Sequence, residues 1–142
     1  MFDSDVDNWS ENTSLFDDKI KGRKQLVFII EDDHCEKFGY YLNTEVKTEN
    51  QKENDDFIPT DSKSFEFNLE SNGRLKSMMK FPIKDTKDCG YKLYNKSNDR
   101  LIHFGNFILR KENKKDSSNC VQREDKYELE WNIRCIMWKN FI

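Results

Sequence analysis

The sequence predicts a mostly β fold of the α+β kind: a two-sheet antiparallel β-sandwich with a few short helices. Three observations carry this. Several short runs, among them 65–69, 79–83, 91–94 and 129–135, alternate apolar with polar residues or nearly so, and each therefore has one face to bury and one to wet. Helix signals are confined to one short stretch near the start. The 11 Phe, 5 Tyr and 3 Trp supply large rings that fill a core with few residues, which offsets a charged fraction of 36 %.

Taken in order, residues 12–22 read as a short helix. Asn12, Thr13 and Ser14 offer capping side chains, Asp17 lies three residues after Ser14, Phe16 and Ile20 share a face, and Gly22 supplies a stop. Leu26–Ile30 is an apolar, β-branched run too short for a typical helix, and Phe38–Val46 carries aromatics, Thr44 and Val46 around Gly39. These read as two strands joined by a polar turn through Glu31, Asp32, Asp33 and His34. Residues 47–61 are rich in Lys, Glu, Asn and Asp and contain Pro59, the composition of an exposed loop.

The half-buried strands 65–69, 79–83 and 91–94 follow, with Asn72-Gly73 as a turn signal between the first two. Leu101–Leu109 reads as a further strand interrupted by Gly105, and 110–126 as a second exposed, charged loop. Leu129, Trp131, Ile133 and Cys135 then alternate in a terminal strand over 127–138. Alternating strands need a partner for their apolar faces, and two packed sheets provide it.

Length and charge narrow the function classes. With 142 residues and no break in composition, 1–142 is expected to be one domain. Its 27 acidic and 24 basic side chains are interspersed without a basic tract, which disfavours nucleic acid as a partner because that affinity comes from neutralising phosphates. The acidic start, Met1 to Asp7, lacks the apolar run of a leader, and no stretch approaches the roughly 20 apolar residues of a membrane span. A cytoplasmic location is expected. Cys35, Cys89, Cys120 and Cys135 form no Cys-x-x-Cys pair and are expected to be free thiols.

The candidate chemistry is sparse. Asp3, Asp5 and Asp7 have the spacing of the first calcium-loop ligands, but Asn8 and Ser14 stand where that loop needs Gly and Glu. His34 and Cys35, after Glu31, Asp32 and Asp33, are ligand-type residues in what reads as a solvated turn. His103 lies in an apolar strand with no serine or cysteine nucleophile tied to it by a motif. The five glycines are scattered, so no phosphate loop is formed; Gly39 and Gly105 read as packing glycines. No catalytic residue, metal or cofactor is expected.

The order of residues resembles the TLDc domain of oxidation-resistance proteins. The runs that carry the resemblance are Leu15-Phe16, Gln25 to Ile30, Phe38-Gly39-Tyr40-Tyr41, Phe65 to Leu69, Lys80 to Lys84, Tyr91 to Tyr94, Ile102-His103-Phe104-Gly105, Ser117 to Cys120 and Met137-Trp138. They cover nearly the whole chain. This would be a divergent and short member: Asn106 to Arg110 stand where relatives usually have a glycine run and an acidic residue. Ile136 stands where they tend to have Glu, and the segment before the first helix is shorter.

The resemblance implies a two-sheet sandwich, in agreement with the strand pattern. It also implies a role in oxidative-stress protection and, as in several members, protein binding to the vacuolar proton pump. The expected function is therefore that of a non-catalytic interaction domain, with the loops near 47–61 and 110–126 choosing the partner and Lys114 and Lys115 as binding candidates. The alternative is a thiol-based or hydrolytic enzyme acting on oxidants or their products. Cys120, in the charged loop, is the candidate thiol for it, ahead of Cys89 beside Asp88 and Cys135 beside Arg134.

Overall fold

A computed structural model of the chain describes residues 1–31, 35–47, 57–70, 78–83, 90–104 and 107–120. One short helix, α1 (Phe16–Ile20), precedes β1 (Leu26–Glu31), β2 (Lys37–Leu42), β3 (Phe65–Glu70) and β4 (Met79–Pro82). Then come β5 (Tyr91–Leu93), β6 (Arg100–Phe104), β7 (Phe107–Arg110), the 3₁₀ helix η1 (Glu112–Ser117) and β8 (Asn119–Cys120). The strands form two sheets, β1-β2-β3-β4 and β5-β6-β7-β8, antiparallel throughout. The fold class is the one the alternating strands predict.

Strand alternation sorts the side chains. Phe28 and Ile30 of β1 and Phe38, Tyr40 and Leu42 of β2 meet Leu93, Ile102, Phe104 and Phe107 of the second sheet in one core. Tyr40 stacks on Phe104 with ring centroids 4.4 Å apart, Phe28 lies 4.8 Å from Phe104, and Phe38 meets Phe107 edge-on at 5.6 Å. Each such ring stabilises the fold by about 1.5–3 kcal/mol through area removed from water. The helix adds Phe16, packed at 5.1 Å on Phe2 and 6.2 Å on Phe28.

The helix is shorter than the expected 12–22. Asn12 has a left-handed φ of 69°, the Leu15 N–H donates to Asn8 O, and the Ser14 hydroxyl accepts the Phe16 N–H at 3.2 Å, so the helix opens only at Phe16. Gly22 ends it as the sequence suggests, with φ 68°.

Three further expectations change. The single strand read over 101–109 is two antiparallel strands, β6 and β7, on either side of residues 105–106. The expected exposed loop from 110 instead holds η1 and β8, and buries Lys111 and Ser118. At the end of the expected 47–61 loop, Ile58 bridges Tyr91 by two backbone hydrogen bonds, and Thr60 is buried. This bridge has no room for a side chain at residue 90, where a Cβ would lie 1.7 Å from Ile58 O. Residues 32–34, the Asn72-Gly73 turn, Gly105 and the strand read over 127–138 lie outside the described residues.

Candidate functional site

The binding candidates Lys114 and Lys115 sit on η1, and the structure shows what holds that turn. Lys111, just before it, is 1 % exposed, and its ammonium donates to the carbonyls of Asn95 (2.7 Å), Lys96 (3.0 Å) and Asn98 (2.5 Å). Its own N–H donates to Asp99 O at 2.8 Å. One cation thus satisfies three carbonyls of the turn that links β5 to β6. Such charge-assisted bonds are the stronger kind.

The N-terminal segment closes over the same place. The Asn12 N–H donates to Lys96 O, the Glu112 N–H to Trp9 O, the Ser10 hydroxyl to Glu112 Oε2 at 2.7 Å, and Asn113 Nδ2 to Glu11 Oε2 at 2.9 Å. On the far side Arg110 pairs with Asp99 at 2.9 Å, and the Arg110 N–H donates to the Ser118 hydroxyl. Three segments distant in sequence, 8–18, 95–99 and 110–118, are therefore locked together. Lys114 is exposed and Lys115 half-buried on this fixed turn.

The electrostatics follow from burial. Burial pushes the Lys111 ammonium below its ordinary pKa, against the opposing pull of Asp17, Glu11 and Asp99. Burial pushes the Asp17 carboxyl up, with Lys111 opposing and Asp18 adding to the rise. The nearest α1 ion pair, Lys96 with Asp18 at 3.1 Å, is exposed and worth little.

A second surface is the outer face of the β1–β4 sheet. Val27 and Ile29 are 57 % and 61 % exposed, and Tyr41, Phe65 and Phe67 continue the face across β2 and β3. Tyr41 and Phe65 are 5.1 Å apart, and Lys80 of β4 stands 4.1 Å over the Phe65 ring. The sequence of β1 does not mark this face, because Leu26 to Ile30 is a continuous apolar run without alternation.

The remaining candidates do not converge. His103 lies half-buried on the outer face of β6, opposite Lys92 and Ile108, with its ring 4.6 Å from that of Phe57. Cys35, not singled out as a reactive thiol by the sequence, is free and exposed, with a left-handed φ of 61°. The backbone of Cys120 pairs with Phe107, while His34, Cys89 and Cys135 lie outside the described residues.

Asp3, Asp5 and Asp7 fold into a turn of their own. Asp3 accepts the Asp5 N–H, Asp7 accepts the Asp3 N–H, and Lys19 bonds Asp7 at 2.7 Å and holds its carboxyl below the usual range. Among the described residues no three His, Cys, Asp or Glu side chains are grouped to hold a metal ion, and no helix is long and apolar enough to cross a membrane.

In comparisons with known proteins, no family model, no curated protein and no solved structure matches the chain.

Proposed function

We propose that the chain is a non-catalytic protein-interaction domain of the TLDc type, which acts in the cytoplasm in oxidative-stress protection by docking on a subunit of the vacuolar proton pump. The observation that carries the interaction reading is the Lys111 clamp: it fixes the turn that displays Lys114 and Lys115, so two cations are presented without the entropy cost of ordering a free loop. Support for the family comes from the order of the resembling runs, which fall on α1, β1, β2, β3, β4, β5 and β6 and supply Phe16, Phe28, Phe38, Tyr40 and Phe104 to one core.

Co-precipitation with vacuolar pump subunits tests the reading. Lys114→Glu together with Lys115→Glu should reduce capture, while His103→Gln and Cys35→Ser should leave it intact, with circular dichroism as the folding control. Failure of the wild type to retain any pump subunit overturns the pump assignment.

The exposed thiol of Cys35 favours a second reading, direct action on oxidants. Catalytic turnover of peroxide by purified protein supplied with a thiol reductant would support it; loss of one thiol equivalent without turnover would reject it.

A further inference from the structure

Charge is concentrated at one corner of the described surface. Lys21, Arg23 and Lys24 are exposed within one turn of chain, and Lys47 is exposed beside them. The backbone fixes that proximity: the Gly22 N–H donates to Val46 O at 3.0 Å, and the buried Val46 donates its own N–H to Arg23 O at 2.8 Å. Gly22 has a left-handed φ of 68°, the Arg23 N–H donates to Ile20 O, and Arg23 Nε donates to Lys19 O, so the corner is a built turn at the end of α1. Glu45 is the acid that shares it.

Exposed apolar side chains adjoin the cations. Gln25, with a left-handed φ of 57°, separates the turn from the sheet, and β1 then presents Val27 and Ile29 outward, 57 % and 61 % exposed. From Lys24 to Val27 the chain spans at most about 11 Å. Lys80 stands on the same outer face, while Glu31 and Glu70, at the far end of the sheet, are answered by Lys37 at 3.8 and 2.9 Å.

We propose that this corner docks on a bilayer rich in acidic lipids, with Lys21, Arg23, Lys24 and Lys47 over the headgroups and Val27 and Ile29 in the interface. Charge complementarity selects the occupant. The backbone N–H groups of Lys21, Gly22, Arg23 and Lys47 are used within the fold, on Asp17, Val46, Ile20 and Tyr91, so they form no cradle for one compact anion. Cations spread over an open corner match distributed negative charge, toward which each contributes without aligned geometry. An acidic protein segment would answer the cations but leave Val27 and Ile29 in water. A bilayer takes both, and stable attachment to its surface draws on a charged and an apolar contribution together. The inference stands independently of the pump reading.

The test is co-sedimentation of the purified full-length chain with vesicles of phosphatidylcholine, with and without phosphatidylserine. The expected result is binding only where phosphatidylserine is present, and its reversal by salt. Each of Lys21→Gln, Arg23→Gln, Lys24→Gln and Lys47→Gln should weaken binding about fivefold, the effect of one cation at the headgroups. Val27→Ser with Ile29→Ser should weaken it as well, with the dependence on phosphatidylserine kept. All six positions are exposed, so the variants should fold, with circular dichroism as the check. A wild type that stays in solution beside phosphatidylserine vesicles overturns the proposal, including the case in which an acidic segment of this chain or of another protein answers the cations. Binding that survives the four Gln substitutions together overturns the assignment to this corner, and binding that the serine pair leaves unchanged overturns the insertion of β1.

Discussion

Two residues show how much of this fold turns on single side chains. Gly39 sits in β2 between Phe28 and Phe67, and a Cβ there would lie 1.8 Å from the Phe28 carbonyl oxygen and 2.8 Å from the Phe67 ring. The ring can shift but the backbone cannot, so Gly39→Ala should destabilise by about 1–3 kcal/mol, read as a lower midpoint in urea. An unchanged midpoint would show that β1 can move away from β2 at that point. Lys111 is the other. Replacing it with Met keeps the length of the stem but takes the donor from the Asn98 carbonyl, while Asn95 O keeps the Asn98 N–H and Lys96 O the Asn12 N–H, at a cost of about 1–3 kcal/mol for an acceptor left without a donor. Lys111→Met should lower thermal stability and, by loosening η1, also weaken partner capture through Lys114 and Lys115. Stability equal to wild type would mean that water replaces the ammonium. The sequence reads Gly39 correctly, because an interrupted strand implies a close approach. It misreads Lys111, since a lysine in a run of charged residues looks solvated until the turn at 95–98 is folded beneath it.

At the level of elements, α1 carries a pH dependence. Burial holds the Asp17 carboxyl above its ordinary value of 3.8, so the folded state binds that proton more tightly than the unfolded chain. The stabilisation is full below the unfolded value and is lost as pH rises through the raised folded one. Asp17→Asn stays neutral at every pH, so its stability relative to wild type should rise between pH below 3.8 and neutrality, as measured by urea unfolding at each pH. A difference that does not vary with pH would place Asp17 in solvent. The same scale shows why most strands were legible and the junctions were not. β4 and β5 alternate and bury Phe81, Tyr91 and Leu93, so alternation survives folding there, whereas β3 alternates in the opposite sense, with Glu66 buried and Phe65 and Phe67 half-buried on the outer face. β6 and β7 form one expected strand because both flanks of Gly105-Asn106 are apolar and Gly105 reads as a packing glycine within a strand, although a Gly-Asn pair between two apolar runs is also a signal for a reversal. η1 was missed for the opposite reason: its six residues are polar, and what holds it is distant in sequence, at Trp9, Ser10 and Asn95 to Asp99. The candidate site inherits that limit. Lys114 and Lys115 could be named from the sequence, but the clamp that fixes them could not.

Over the whole molecule, the two sheets meet through Phe104. Its ring stacks on Tyr40 at 4.4 Å and 18°, touches Phe28 at 4.8 Å and neighbours Phe107 at 5.2 Å, so β1, β2, β6 and β7 share one buried contact. Tyr40 and Phe104 are both fully buried, which leaves truncation of either ring no route to relief by solvent. Phe104→Ala should therefore destabilise by about 3–5 kcal/mol, the range for a deleted core ring. Because both sheets lean on the same ring, they should be lost together. Denaturation followed by far-ultraviolet circular dichroism and by aromatic fluorescence should give coincident transitions in wild type and variant alike. The stack itself can be isolated with Tyr40→Leu, Phe104→Leu and the double variant, where the coupling between the rings should come to about 0.5–1.5 kcal/mol beyond area burial. Coupling near zero would mean that the two rings contribute only as bulk. Two transitions at different denaturant concentrations would show that the sheets fold as separate units.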